Sequence, residues 1–93
     1  MSKPARRIAV LSSQFREDLR YWIENDRRTA LRLLDLMEAI LAEPFVGIGK
    51  PEPLRFELAG YWSRRITHEH RAVYRATANQ VEFVQARYHY TTG

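Results

Sequence analysis

The sequence contains no cysteine, so neither a disulfide bond nor a thiolate-bound metal can stabilise the fold. No apolar run approaches the roughly 20 residues needed to cross a bilayer. The apolar stretch behind the basic N-terminus, Ile8–Leu11, is too short for the core of a signal peptide. A glycine-rich phosphate loop, a Ser-His-Asp order and zinc-ligand spacing are also missing. We therefore expect a cytoplasmic protein that uses no metal ion or other cofactor.

The chain is short and basic. Its 93 residues, of which 45% are apolar, are enough for one domain with a modest core, so we expect a single domain over residues 1–93. Residues 1–7 form a basic extension that we expect to be disordered. The net charge is +4, and from Pro44 onward seven lysines and arginines stand against four acids. This balance favours a polyanionic or acidic partner, although many basic proteins never contact nucleic acid.

The first half of the chain carries two helical patterns. Ile8–Leu11 reads as a short buried strand, after which Ser12 or Ser13 can cap a helix. The apolar positions of this first helix are Phe15, Leu19, Trp22 and Ile23, and it should end within residues 24–26. Asp26 can cap a second helix, which Pro44 ends. Its apolar positions are Ala30, Leu33, Leu34, Met37, Ile40 and Leu41.

The second half predicts an antiparallel sheet. Residues 47–53, with two glycines and two prolines, form a stiff loop. Strands are expected over residues 61–67, 71–77 and 81–90, with a further short strand over residues 54–58. Segregated helices and strands indicate an α+β fold, in which two helices pack on one face of a small antiparallel sheet. The other face of the sheet is then open to water and free to hold a site.

Strand periodicity leaves the direction of several side chains open. In the last predicted strand, Arg87 and His89 should share a face because alternate residues point the same way. The face that carries each of the arginines at 64, 65 and 71 depends on the register of the hairpin, which the sequence does not determine.

A carboxylate, a histidine and several arginines in one half of a basic domain suit the cleavage of RNA without a metal ion. The 2′-hydroxyl of RNA can attack the adjacent phosphorus when a base removes its proton and an acid protonates the leaving 5′-oxygen. Glu52 is the preferred carboxylate because prolines on both sides hold it near Lys50. His89 is the preferred histidine because it ends a strand between two tyrosines. His68 and His70 bracket a turn, are expected to face solvent and lack a third metal ligand nearby.

Several segments follow one another in the order and at the spacing of a known family. They are GKPEPL at 49–54, GYWSRRIT at 60–67, EHRAVY at 69–74 and RYHY at 87–90, with Tyr21 and Trp22 in the first helix and Pro44 and Phe45 after the second. With these motifs the chain closely resembles the YoeB (Txe) toxins of the RelE/ParE superfamily of toxin–antitoxin modules. The resemblance covers nearly the whole chain after about Ile8.

The resemblance implies a RelE-like (microbial RNase-like) fold and an mRNA endoribonuclease that cleaves the codon in the ribosomal A site by metal-free acid–base chemistry. By motif, Glu52 would be the general base and His89 the general acid. Arg71 would stabilise the transition state, and Tyr90 would orient the substrate. The cations expected to bind RNA phosphates are Lys50, Arg64 and Arg65.

The resemblance also implies the partners of the chain. These are mRNA and the rRNA of the ribosomal A site, a cognate YefM-like antitoxin, and a second copy of the chain in a homodimer. Operator DNA would be bound only through the antitoxin complex, and no membrane is involved. The sequence departs from the family at Phe56, where relatives can carry a basic side chain or histidine, and in residues 91–93, which extend past Tyr90.

Composition and motifs leave three other functions open. The chain could be a non-catalytic ParE-like toxin that acts on DNA gyrase by contact, or a basic module that only binds an acidic protein or RNA. Neither of these needs the carboxylate of Glu52. The third alternative is a nuclease that cleaves RNA without the ribosome.

Overall fold

The computed structural model of the protein describes residues 7–88. In chain order the elements are β1 (Ile8–Leu11), α1 (Ser13–Asn25), α2 (Arg27–Ala42), β2 (Glu52–Pro53), a 3₁₀-helix (Phe56–Leu58), β3 (Trp62–Arg65), β4 (Arg71–Ala76) and β5 (Gln80–Gln85). The strands form one sheet in the order β1-β5-β4-β3-β2, and both helices contribute to the core on one face of it. The predicted α+β class with two helices on one face of a sheet is confirmed.

The sheet is mixed rather than purely antiparallel. β2 to β5 form an antiparallel meander, but β1 runs parallel to β5, with Ile8 opposite Gln80 and Leu11 opposite Phe83. A parallel pair needs a long crossover connection. The chain between β1 and β5, which contains both helices, provides that connection. The prediction of an antiparallel sheet was therefore wrong at this edge.

Each helix begins at a side-chain cap that the sequence predicts. Of the two serines, Ser12 is the cap, and its Oγ accepts the N–H of Phe15 at 3.0 Å. The Ser12 hydroxyl also donates to the carbonyl of Val84 at 2.7 Å, which fastens the start of α1 to β5. At the start of α2, Asp26 accepts the hydroxyl of Thr29 at 2.7 Å and its N–H at 3.1 Å. These hydrogen bonds, led by the Thr29 hydroxyl, hold the pKa of Asp26 below its ordinary value of 3.8.

The core lies between the two helices and the sheet. Its fully buried members include Phe15, Leu33, Leu36, Ile40, Tyr74, Val81 and Phe83. The predicted helical stripes are wider than the buried faces, because Ile23 and Leu34 are 57% and 42% exposed. Ile23 and Leu34 each point about 80–100° around the helix axis away from the centre of the buried face, so neither side chain packs against the sheet. Leu36, which the predicted stripe omitted, is buried in their place.

Three strand predictions also need correction. β1 is not buried, since Ile8 is 67% exposed at the outer edge of the sheet and only Leu11 packs against the core. The extra strand expected over residues 54–58 does not form, because Phe56 has a φ of +58°, which extended chain does not adopt. A 3₁₀-helix over Phe56–Leu58 lies there instead. The predicted loop at 47–53 instead ends in β2. β5 ends at Gln85, so Arg87 is not part of a strand as predicted, and His89 lies outside the described residues.

Within residues 7–88, neither helix has the length and apolar character that a bilayer-crossing segment needs.

Candidate functional site

Strand register places four polar residues together on the face of the sheet away from the helices. Glu52 lies opposite Ser63 across β2 and β3, and Arg65 lies opposite Arg71 across β3 and β4. Alternate residues of a strand share a face, so Ser63 and Arg65 point the same way. Arg64, between them, points toward the helices. The four residues lie on the face that the sequence predicted to be open to water, where Glu52 is exposed and Arg65 is half-buried but Ser63 and Arg71 are buried.

The centre of this group is an ion pair between Glu52 and Arg71. Nη2 of Arg71 lies 3.1 Å from Oε1 of Glu52, and Nε of Arg71 donates to the Oγ of Ser63 at 2.9 Å. The Arg71 side chain is only 10% exposed, whereas that of Glu52 is 62% exposed. A buried arginine held by two side chains is fixed in orientation, and the carboxylate that it contacts stays open to solvent. This arrangement combines a preorganised cation with an accessible proton acceptor.

Arg65 adds a second cation next to Arg71. Directly opposed side chains on paired strands have Cβ atoms about 4.5–5.5 Å apart, and like charges in such a pair destabilise the sheet. The Nε of Arg65 is buried, and no group within residues 7–88 accepts a hydrogen bond from it. The guanidinium groups of two adjacent arginines form a favourable position for an anion that bridges them. Lys50 is exposed and lies two residues before Glu52.

Arg64 does not fit the predicted role of a phosphate-binding residue. It is fully buried, and its Nε donates to the hydroxyl of Tyr74 at 3.2 Å. Its terminal nitrogens donate to the backbone carbonyls of Glu43, Val46 and Ile48. These carbonyls follow directly after α2, where the negative end of the helix dipole favours a cation. The structure therefore corrects the prediction, because Arg64 is a structural residue that holds the loop after α2.

The pKa of Tyr74 reflects the same buried cluster. Burial raises the pKa of Tyr74 above its ordinary value of 10.0, and the hydrogen bond and positive charge of Arg64 oppose that increase. The Tyr74 hydroxyl donates to the carbonyl of Pro44 at 2.6 Å, so both side chains bind the same loop.

Two glycines make room for Arg64. Gly47 has a φ of +129°, and a Cβ added there would lie 3.0 Å from Nη1 of Arg64. At Gly49, with a φ of +82°, an added Cβ would lie 2.9 Å from the side chain of Leu36 and 3.0 Å from the carbonyl of Arg65. A side chain at either position would strain the backbone and push the loop away.

His70 is also placed differently from the prediction. It is half-buried rather than solvent-facing, with its ring 4.7 Å from that of Trp22 and 5.1 Å from that of Tyr88 between ring centroids. Its Nδ1 accepts the N–H of Tyr88 at 2.6 Å. His68 is exposed, as expected. Among residues 7–88 no cluster of three or more histidine, aspartate or glutamate side chains is arranged to hold a metal ion.

Several of the remaining predicted residues lie beyond the two ends of the described chain. His89, Tyr90 and residues 91–93 fall outside the described residues, as do residues 1–6 of the basic extension. Arg7, the last residue of that extension, donates from Nε to the carbonyl of Thr77 at 2.8 Å. Phe56 is 79% exposed and makes no part of the core.

A cleft of about 320 Å³ lies between α1 and the chain that leaves β5. Its lining is polar and consists of Gln14, Asp18, Gln85, Arg87 and Tyr88. The guanidinium of Arg87 stacks on the ring of Tyr21, with its Cζ 3.5 Å from the ring centroid. Of the residues predicted to be catalytic, the two within residues 7–88, Glu52 and Arg71, do not line this cleft, so we place the candidate site at the Glu52–Arg71 pair.

Sequence reasoning missed two residues that support the site. Ser63, which orients Arg71, could have been found from strand parity, because it lies two residues before Arg65 and so shares its face. His70 was assigned to a turn, and no local pattern indicates its contact with Trp22, which lies 48 residues earlier in the chain. Only the tertiary structure reveals that contact.

Known proteins resemble this chain over most of its length. The model of the family described as the YoeB-like toxin of bacterial type II toxin-antitoxin system matches residues 11–90. The toxin YoeB of Mycobacterium bovis is 57% identical over 74 residues, which are 80% of this chain and 87% of that protein.

Solved structures give the same result. A YoeB dimer from Staphylococcus aureus has a TM-score of 0.85 at 40% identity, over 92% of this chain and 100% of that one. The toxin in a YoeB–YefM complex from the same organism has a TM-score of 0.81 at 39% identity, with the same coverage of 92% and 100%.

The family match begins at the end of β1 and extends through both helices, the meander and the Glu52–Arg71 pair to Tyr90. Sequence and fold therefore agree over nearly all of the described chain. The resemblance noted from the motifs is confirmed, and the chain belongs to the YoeB-like toxins of bacterial type II toxin–antitoxin systems.

Proposed function

We propose that the toxin is an endoribonuclease that cleaves mRNA in the A site of the ribosome. The observation that carries this proposal is the Glu52–Arg71 ion pair on the open face of the sheet, with Arg65 directly across from Arg71. An exposed carboxylate beside a fixed guanidinium and a second cation suits the cleavage of a phosphodiester. A module that only binds an acidic partner does not need a buried arginine oriented by Ser63 and Glu52.

The chemistry assigns one step to each residue. Glu52 takes the proton of the substrate's 2′-hydroxyl as its oxygen forms a bond to phosphorus. Arg71 binds the non-bridging oxygens, on which negative charge increases. His89 donates a proton to the 5′-oxygen as the P–O5′ bond breaks, which leaves a 2′,3′-cyclic phosphate and a 5′-hydroxyl. Tyr90 orients the substrate. Acid–base assistance of this kind contributes roughly 10²–10⁴-fold to the rate.

The cations around this pair are assigned to RNA binding. Arg65 is suited to a phosphate next to the scissile one, because it lies directly opposite Arg71 and is only half-buried. Lys50 is exposed near Glu52 and can contact the RNA backbone as a point charge. Arg64 is left out of this group, because protein oxygens bind its guanidinium in the interior.

The proposed partners follow from the relatives and from the charge of the chain. Besides mRNA and the rRNA of the A site, we assign the toxin a cognate YefM-like antitoxin, as in the YoeB–YefM complex from S. aureus. Operator DNA would be reached only through that complex. A homodimer is proposed by analogy with the S. aureus YoeB dimer.

The test is cleavage of a defined mRNA by the purified toxin, with and without assembled ribosomes. We expect cleavage within the A-site codon only when ribosomes are present. Glu52→Gln should reduce the rate by roughly 10²-fold or more. The matched control is Glu57→Gln, which neutralises an exposed carboxylate in the neighbouring 3₁₀-helix and should leave the rate unchanged.

The same assay separates the alternatives. Equal cleavage of free mRNA would indicate a ribosome-independent nuclease. Toxicity that persists in Glu52→Gln without any cleavage would indicate a ParE-like toxin or a binding module.

A further inference from the structure

Directly after β5 the chain is held by side chains of α1 rather than by a neighbouring strand. β5 ends at Gln85, and α1 binds the next residue, Ala86, through both of its backbone groups. The Ala86 N–H donates to Oδ2 of Asp18 at 2.8 Å, and its carbonyl accepts Nε1–H of Trp22 at 2.8 Å. Asp18 and Trp22 are four residues apart on one face of α1, so a rigid helix fixes this point of the chain.

Two residues later, at Tyr88, both backbone groups are again hydrogen-bonded. The Tyr88 N–H donates to Nδ1 of His70 at 2.6 Å, and the Tyr88 carbonyl accepts the N–H of Arg71 at 3.2 Å. Because Nδ1 is the acceptor, the neutral imidazole carries its proton on Nε2. The His70 ring is itself fixed by edge-on contact with Trp22, at 79° between the ring planes.

Tyr88 needs such support because its backbone is strained. Its φ of +61° lies in the left-handed region, which a bulky residue rarely adopts. Conformations of this kind persist where the surroundings fix them. Here the fixing contacts come from His70 and Arg71, and Arg71 is also the residue that binds Glu52.

We infer that His70 is a positioning residue that fixes the backbone of Tyr88, the residue joined directly to the proposed general acid His89. This inference rests on the proposed function, in which His89 is the general acid. Residue 89 is joined to Tyr88 by the peptide group whose oxygen Arg71 binds. The acceptor on His70 therefore fixes the backbone at the residue directly before the proposed general acid. His70 contributes no proton and contacts no substrate.

A pair of variants separates the acceptor from the ring. His70→Asn places an oxygen near the position of Nδ1 and removes the ring, whereas His70→Phe keeps a ring and removes the acceptor. We expect His70→Phe to lower kcat by roughly 10- to 100-fold with little change in KM for ribosomes, because small displacements of a catalytic group have effects of this size. His70→Asn should restore most of kcat. His68→Phe, at the exposed histidine of the same turn, is the matched control.

A second readout does not depend on catalysis. Amide hydrogen exchange followed by NMR should show a protected Tyr88 N–H in the wild type and in His70→Asn, and a fast-exchanging one in His70→Phe. The amide of Phe83 within β5 should stay protected in all three proteins, which shows that they are folded.

The outcomes distinguish this inference from the proposed function. A Tyr88 amide that exchanges equally fast in the wild type and in His70→Phe would overturn it. The inference would also be overturned if His70→Phe lost the protection of the Tyr88 amide but kept the wild-type kcat. The same holds if His70→Asn had a protected Tyr88 amide and a kcat as low as that of His70→Phe. Absence of cleavage by the wild-type toxin would overturn the proposed function alone, because the exchange data still report whether His70 holds Tyr88.

Discussion

Arg64 and Arg65 are adjacent in the sequence and lie on opposite faces of β3. One is bound by the interior of the protein, and the other lies beside Arg71 on the open face. Arginine suits both environments, because its planar fork can satisfy several backbone carbonyls at once or bind two oxygens of a phosphate.

The interior role of Arg64 predicts a loss of stability. Arg64→Met would leave the loop carbonyls and the Tyr74 hydroxyl without their donor, so we expect unfolding by urea to become easier by about 3 kcal/mol or more. Arg64→Lys should lose less, because it keeps the charge. The control, Arg75→Met, removes an exposed partner of Glu82 and should change stability by less than about 0.5 kcal/mol.

A different result would restore the original assignment of Arg64. If Arg64→Met unfolds like the wild type but binds ribosomes more weakly in a sedimentation assay, Arg64 contacts RNA and the structural role assigned to it is wrong.

Arg71 predicts a loss of rate with little loss of affinity. Arg71→Lys keeps the positive charge but cannot contact Glu52 and Ser63 together, so the cation is no longer fixed. We expect single-turnover cleavage on ribosomes to slow by roughly 10²-fold, as for the removal of one preorganised donor. The affinity for ribosomes should change little, because several cations share the binding. An effect confined to affinity would move Arg71 from catalysis to docking, and Arg75→Lys serves as the control.

The elements are defined by local signals at their ends. Ser12 and Asp26 cap α1 and α2. Ser12 also links α1 to the sheet, because its hydroxyl donates to the carbonyl of Val84 in β5. The ends of the strands are set differently, since β5 stops where α1 and the turn before β4 supply the hydrogen bonds that a strand would have supplied.

The cap at Asp26 predicts a pH dependence of stability. The pKa of Asp26 in the folded protein is lower than the ordinary value of 3.8. The cap therefore contributes its full stabilisation above about pH 3.8, and this stabilisation is lost as the pH falls through the pKa of the folded protein. Asn also caps helices but does not titrate. We expect the melting temperature of Asp26→Asn to fall less than that of the wild type between pH 5 and about pH 2.5.

The Thr29 hydroxyl is the main cause of this pKa shift. Thr29→Val should therefore reduce the difference between wild-type and Asp26→Asn melting curves. Parallel curves for the wild type and Asp26→Asn over the whole acid range would contradict the assignment of the shift to the cap.

At the scale of the whole molecule, charge determines how partners approach. The chain carries a net charge of +4, and the cations of its open sheet face suit RNA and an acidic antitoxin segment equally. We therefore expect inhibition by competition for the surface around Glu52 and Arg71, with the C-terminal part of the antitoxin as the inhibitory segment.

This competition predicts a strong effect of salt on the rate of association. Stopped-flow mixing of the toxin with the antitoxin encoded beside it should show an association rate that falls by roughly tenfold or more as ionic strength rises from about 0.05 to 0.5 M. The dissociation rate should change little, because apolar contacts formed after the encounter keep the complex together. A chain with Arg65→Gln should show a weaker salt dependence, and Arg16→Gln on α1 is the control. Association rates that do not respond to salt would contradict this mechanism.

The sequence by itself determined what depends on neighbours along the chain. Helix caps need residues three positions apart, helical stripes need a repeat of 3–4 positions, and the family motifs need only their order and spacing. These features gave both helices, the α+β class, the family and the choice of Glu52 and Arg71, which the structure then brings into contact. The catalytic roles of Glu52, Arg71, His89 and Tyr90 stay predictions.

The tertiary structure alone decided what depends on contacts between distant segments. The register of β3 and β4 placed Arg65 on the open face and Arg64 in the interior, and a register shift of one residue would have exchanged them. The crossover through both helices made β1 a parallel, exposed edge strand. The ring of Trp22 in α1 packs against His70, whose Nδ1 accepts the N–H of Tyr88. A local pattern cannot specify such choices, because their free energy comes from hydrogen bonds and packing that exist only when both segments are in place.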